Sequence, residues 1–339
     1  VTDTDVEAVR LLLARLGITA EQLLTAPAPS RPLPTIREYV GRVSDAVPKG
    51  TRQAYGSYWE RIIAVWGDRC LNEPTPIEIQ QLAERTKQQA VVRRNSRGGR
   101  SAAEHLIGAM RCLYRHAVVD QLIAETDNPA VRVSKPRRLA STRRALPADR
   151  LAEINEVAAS TGNDPDLDML VLRVHTETAC RRGGALALRV QDLDREQCLV
   201  RLWEKGETMR WQPVSPTLME HLVLHHQERP GSGEQLLRYR NVQPITARRY
   251  DHLWQRIGRH LPWVATQQVS THWLRHTTLT WVERNFGYAV ARAYAGHSGK
   301  GDGGTTSTYV RADIHEVATA LAALTGEAHP LAQGEWCRA

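Results

Sequence analysis

Ser270-Thr271-His272-Trp273-Leu274-Arg275-His276-Thr277 is the stretch on which the reading of this chain turns. Ser270 or Thr271 can cap a helix, and the i, i+3 spacing then puts His272 and Arg275 on one face. Read alone, the stretch fits a capped helix with satisfied polar groups. His272 and His276 at i, i+4 have the spacing of a zinc pair, but H-E-x-x-H requires a glutamate where Trp273 stands. No metal and no cofactor are expected.

Outward from this helix, charged and polar groups recur in a fixed order. Upstream lies Thr178-Ala179-Cys180-Arg181-Arg182-Gly183-Gly184-Ala185-Leu186-Ala187-Leu188. Two β-prone runs, 198–204 and 209–215, flank Lys205-Gly206-Glu207 and read as a hairpin. Downstream come Gly296-His297 and then Thr305-Thr306-Ser307-Thr308-Tyr309. The intervening segments have helical periodicity over 166–178, 216–227, 245–260, 271–285, 288–296 and 313–324, and Asp149 and Leu151 open a helix after Leu146-Pro147.

The first 145 residues have a different character. Residues 3–24 carry an apolar stripe at Val6, Val9, Leu13 and Leu16, followed by a tether with Pro27, Pro29, Pro32 and Pro34. Helical periodicity then fills 35–46, 50–66, 76–90 and 101–119. The expected organisation is an N-terminal helix and tether (1–34), a helical domain (35–131), a basic linker (132–145), a mainly helical domain with a small β-sheet (146–325) and a tail (326–339). Lys+Arg 45 against Asp+Glu 37 gives a net charge of +8, which favours a polyanionic partner. The loop Arg93-Arg94-Asn95-Ser96-Arg97-Gly98-Gly99-Arg100 and the linker residues Lys135, Arg137 and Arg138 are the candidate phosphate contacts. With 42% apolar residues the chain can fill two cores, so global disorder is excluded. Five cysteines without a CxxC argue against a disulfide framework and fit a reducing cytoplasm. No apolar run is long enough to span a membrane, and the acidic first residues do not resemble a signal peptide.

Five boxes in this order resemble the tyrosine recombinase (phage integrase) family, and Thr271 to Thr280 match its His-x-x-Arg box almost letter for letter. The resemblance covers most of 35–325. Helices 50–119, with Thr51, Tyr55 and Trp59, look like the family's core-binding domain, so the implied fold is a C-shaped DNA clamp made of that domain and a mixed α/β catalytic domain. By the same resemblance Arg181 and Arg275 clamp the scissile phosphate, and His272 and His297 contact it or handle a proton. Lys205 is the hairpin lysine, and Tyr309 is the nucleophile of a 3′-phosphotyrosyl intermediate. Arg182 rivals Arg181 and Lys300 rivals Lys205; alignment with the box favours Arg181, and the hairpin context favours Lys205. Two departures stand out. The family usually has an acid where this chain has Gly184, and residues 298–304 lengthen the interval from His297 to Tyr309.

The residue types suit the chemistry without the name. Planar guanidinium forks meet the non-bridging oxygens of a phosphodiester in transfer, and each preorganised donor contributes about 3 to 4 kcal/mol. A tyrosine beside cations can attack, and a lysine with depressed pKa can protonate the departing oxygen. The partners that the resemblance implies are double-stranded DNA, three further copies of the chain in a tetramer on DNA (monomer or dimer when free) and an accessory directionality factor. The expected place is the cytoplasm, on the nucleoid. Alternatives are a type IB topoisomerase-like relaxing activity and a regulator that binds DNA without catalysis. If the linker arginines contact phosphates, neutralising Arg137 and Arg138 should weaken binding to all DNA sequences alike. It should also flatten the salt dependence by about one unit of slope per lost contact, measured by titration at several salt concentrations. Lost sequence preference at unchanged slope would place them at base edges instead.

Overall fold

The computed structural model describes residues 3–17, 19, 32–91, 98–137, 143–203, 209–231, 233–296 and 312–332. Arg93, Arg94, Arg97, Arg138, Lys205, His297, Lys300 and Tyr309 lie outside them. The chain divides into two compact units, 1–139 and 140–339, a division that falls within the basic stretch 132–145.

The first unit contains α1 (Asp3–Leu16), α2 (Ile36–Ala46), α3 (Lys49–Trp66), α4 (Pro76–Gln88) and α5 (Arg100–Val119). Capping boxes fix two of these starts: Thr35 with Glu38 opens α2, and Thr75 with Glu78 opens α4, where Pro76 supplies a helical φ. Buried aromatics tie the bundle with polar tips that find backbone partners. Trp59 donates to the Ala109 carbonyl at 3.2 Å and Tyr114 to the Leu71 carbonyl at 2.8 Å. Of the apolar stripe expected over residues 3–24, the described part forms α1 to Leu16, with Val6, Val9 and Leu16 exposed and Leu13 half-buried, and residues 18 and 20–24 lie outside the described residues.

The second unit contains α6 (Ala148–Ser160), α7 (Pro165–Thr178), the short α8 (Arg182–Ala187), β1 (Leu193–Asp194), β2 (Leu199–Trp203), β3 (Met209–Pro213), α9 (Pro216–Glu228), α10 (Ala247–His260), the short α11 (Pro262–Gln267), α12 (Thr271–Tyr294) and α13 (Ile314–Thr325). The sheet is antiparallel in the order β1-β2-β3, with Arg201 opposite Trp211 and Leu202 opposite Arg210. The helices expected over 271–285 and 288–296 form one run, broken at Gly287, whose φ of 82° and ψ of 170° are available to glycine at little cost. Two short helices, α8 and α11, carry too few residues to show a period and were not expected. Among the described residues no helix is long and apolar enough to cross a membrane.

Helix α7 is central to this unit. Its Leu167, Leu170, Val171, Leu172 and Val174 are buried, and two acids at its start, the N-cap Asp164 and Asp168, pair with arginines from elsewhere. Asp168, fully buried, accepts from Arg249 at 2.7 Å and from Arg256 at 2.5 Å, both on α10. Asp164 accepts from Arg229, at the end of α9, at 2.6 Å. Removing one partner of such a buried pair leaves uncompensated charge, at a cost of about 3–5 kcal/mol. Asp168→Ala should therefore lower the unfolding free energy of this unit by about 3–5 kcal/mol in denaturant melts of the full chain. A loss below about 1 kcal/mol would class the pair with exposed ones.

Candidate active site

Helix α7 ends in a turn that leads straight into Arg181. Ala179, its C-cap, adopts a left-handed conformation (φ 49°, ψ 24°) and donates its N–H to the His175 carbonyl. The terminal carbonyls of a helix have no partner within it, and here Thr178 and Ala179 are fully buried, so water cannot serve. Side chains from other elements serve instead. The Thr176 carbonyl accepts from Thr278 (2.6 Å) and the Glu177 carbonyl from Tyr294, both on α12. The Thr178 carbonyl accepts from Arg210 of β3 (3.1 Å), and the Ala179 carbonyl from Arg275 of α12. The Cys180 carbonyl pairs with His175 Nδ1 at 3.1 Å, and His175 Nε2 meets the Tyr250 hydroxyl at 3.0 Å.

Arg275 is thus a brace as well as a candidate phosphate ligand. Its guanidinium also donates to the Ala295 carbonyl at 2.8 Å, so one fork joins the turn before Arg181 to the residue before Gly296-His297. Arg181 is half-buried, while Arg182 is exposed and points to Asp251 at 3.8 Å. His272 is one helical turn from His276, and their rings meet edge to face with centroids 5.2 Å apart. Desolvation, then the positive field of Arg143, His276, Arg275 and Arg181, lowers the His272 pKa to about 4, although part of the ring is open to solvent. The His276 pKa is lowered too, first by burial and then by Arg143 and Arg275. Three of the sequence candidates, Arg181, His272 and Arg275, therefore share one electropositive site with a neutral imidazole, which can accept a hydrogen bond or a proton. Among the described residues no cluster of His, Cys, Asp and Glu could hold a metal ion.

At Gly184, where an acid was expected by resemblance, a Cβ would lie 3.3 Å from the Trp203 carbonyl. Strand β2 packs against α8 there, two residues before Lys205 in sequence, so this position serves close packing rather than support of Arg181. Sequence reasoning missed Arg210, Thr278 and Tyr294, and it assigned Arg143 to the basic linker, whereas its charge acts on His272. Thr278 and Tyr294 give no signal beyond core positions of a helix, and Arg210 is one arginine among forty.

In the first unit a cleft of about 530 Å³ is lined by Thr51, Tyr55, Arg111, Arg115 and Lys135. Arg111 is held by the Ala130 and Val133 carbonyls at 3.2 and 2.8 Å, while Arg115 is exposed. Of the basic residues expected at DNA, Lys135 lines this cleft. Arg137 is exposed, and Arg100 is exposed at the first position of α5.

The model of the phage integrase family matches residues 144–316, slightly more than half of the chain. The chain belongs to this family of tyrosine recombinases. Its fold is similar to that of lambda integrase in a tetramer bound to a Holliday junction, with a TM-score of 0.60 at 16% identity over 90% of this chain and 91% of that one. A lambda integrase dimer on a COC' core site gives 0.59 at 16% identity, over 79% and 98% of the two chains. The Tn1549 transposon integrase with circular intermediate DNA gives 0.60 at 14% identity, over 83% and 96%. No curated protein sequence matches this chain.

The neutrality of His272 has a measurable sign. Its folded pKa lies below the ordinary 6.5, so between about pH 4 and 6.5 the unfolded chain binds more protons. Its contribution to stability is complete above pH 6.5 and is lost as pH falls through 4. In the DNA-free chain the imidazole resonance of His272, assigned by its loss in His272→Gln, should titrate near pH 4. Arg143→Gln should move it upward. Titration near 6.5 in the unmodified chain would remove the electropositive cluster from the account.

Proposed function

We propose that this chain is a site-specific recombinase that cuts and rejoins double-stranded DNA by transesterification. The observation that carries the mechanism is the hanging of Arg181 and Arg275 on one braced turn beside a neutral His272. A phosphodiester placed there meets the guanidinium of Arg275, whose orientation is set before it arrives, and that of Arg181, which follows the braced turn in the chain; preorganised charge of this kind is most effective. The Tyr309 hydroxyl attacks phosphorus, giving its proton to a histidine, the neutral His272 or His297. The bond to the 5′ oxygen breaks, and that oxygen takes a proton from Lys205. A 3′-phosphotyrosine conserves the bond energy. Attack by a 5′ hydroxyl on it then reverses the steps and reseals a strand, so no net hydrolysis occurs.

The cleft of Thr51, Tyr55, Arg115 and Lys135 offers the first unit's contact with the backbone of the same duplex. The lambda and Tn1549 integrases are seen on DNA, and the lambda enzyme as a tetramer on a Holliday junction, which supports double-stranded DNA and a four-protomer assembly as the partners here. Work on the nucleoid with a directionality factor accords with that activity. The test starts by mapping the site that the full chain protects in the DNA flanking its own gene. On that duplex the chain should form an adduct that survives denaturation, and Tyr309→Phe should bind with unchanged affinity yet form none. An adduct persisting in Tyr309→Phe would move the nucleophile to another residue.

A further inference from the structure

We propose that Arg210, a residue of β3 outside the family-derived set, is a positioning residue for Arg181. The inference rests on the recombinase reading above. Arg210 reaches the turn from the sheet. Its Nη2 donates to the fully buried Thr178 carbonyl at 3.1 Å, and its Nη1 donates to Oε1 of the buried Gln212. Its stem lies across Gly296, where a Cβ would come within 2.4 Å of Cδ and 2.5 Å of Nε. Gly296 has φ +68°, so both its conformation and its missing side chain admit the arginine. Strand pairing with Leu202 fixes where Arg210 starts from. The guanidinium is thereby held from three sides, and the carbonyl that it holds is three residues before Arg181.

Two arginines thus secure consecutive carbonyls of a left-handed turn, Arg210 at Thr178 and Arg275 at Ala179. Arg275 approaches from α12 and Arg210 from β3, so the turn is fixed in two directions. Without Arg210 the Thr178 carbonyl would be buried unpaired, and the turn would shift until it found a partner. Arg181 would move with it. A misplacement of about 1 Å is enough to cost about 100-fold in rate, and the loss should fall on charge stabilisation at the phosphate and not on protonation of the leaving oxygen.

A scissile methylphosphonate, which lacks one anionic oxygen, makes less demand on a guanidinium clamp. A 5′-bridging phosphorothiolate makes less demand on the acid. In full-length chain on the mapped duplex, Arg210→Met keeps the apolar stem over Gly296 and should slow cleavage of the ordinary phosphate about 100-fold, with DNA affinity kept. The deficit should shrink to within about 5-fold on the methylphosphonate, as for Arg181→Ala, and persist on the phosphorothiolate. In an Arg181→Ala background Arg210→Met should add nothing, because it acts through Arg181. An equal deficit on all three substrates, rescue by the phosphorothiolate alone, or an additive loss in the double variant would each overturn the proposal. Should Arg210→Met melt well below the parent, Arg210→Lys, which keeps charge without the fork, is read in the same ways. Hydrogen exchange separates this inference from the recombinase reading. Amides of 178–184 should exchange faster in Arg210→Met while those of 216–228 do not change, and the absence of that difference sinks the positioning role whether or not the chain cleaves DNA. If the parent chain forms no adduct on any duplex, the recombinase reading is what fails.

Discussion

The end of one helix governs the catalytic unit. A helix terminating in the interior must place its last carbonyls somewhere, and each one left unpaired costs about 1–3 kcal/mol. In α7 the carbonyls of Thr176, Glu177, Thr178 and Ala179 are met by Thr278, Tyr294, Arg210 and Arg275. These donors come from α12 and β3, so satisfying the backbone draws α12, which carries His272 and Arg275, and β3 to the turn that leads into Arg181. The buried ion pairs of Asp164 and Asp168 hold the other end of the same helix, so α7 is fixed at both termini by arginines distant in sequence.

Electrostatics follow from this packing. Burial first, and then the positive field of Arg143, Arg181 and Arg275, keeps the His272 imidazole neutral, and concentrating those arginines around it is unfavourable in a DNA-free chain. A phosphate entering the site relieves that field. In the proposed reaction a DNA phosphate would remove that repulsion, so that binding and activation of the phosphate would have one physical origin.

Much of this was legible in the sequence because the signals were local. Helix starts at Ile36 and Pro76 are written in capping boxes, the antiparallel pairing of β2 with β3 in two β-prone runs, and the break in α12 in Gly287. Arg181, His272 and Arg275 were legible because a box has a fixed internal spacing. What stayed hidden depends on contacts between distant positions. Nothing near Arg210 tells that it will meet Thr178, thirty-two residues away, and nothing near Gly184 tells that a strand will pass over it. The left-handed Ala179 is hidden for a related reason, since alanine carries no turn signal and it is distant groups, Arg275 at its own carbonyl and Arg210 at that of Thr178, that hold the turn there.

The double duty proposed for Arg275 bears on how such a gene can change over generations. Selection for recombination and selection for a folded protein act on the same codon, because the fork that would face phosphate also closes the Ala179 and Ala295 carbonyls. A lineage that gave up strand transfer and kept only its grip on DNA would still be held to arginine at 275 by folding alone. Retention of that letter in a decayed copy would then record an intact fold, and activity would have to be inferred from positions that the fold does not require.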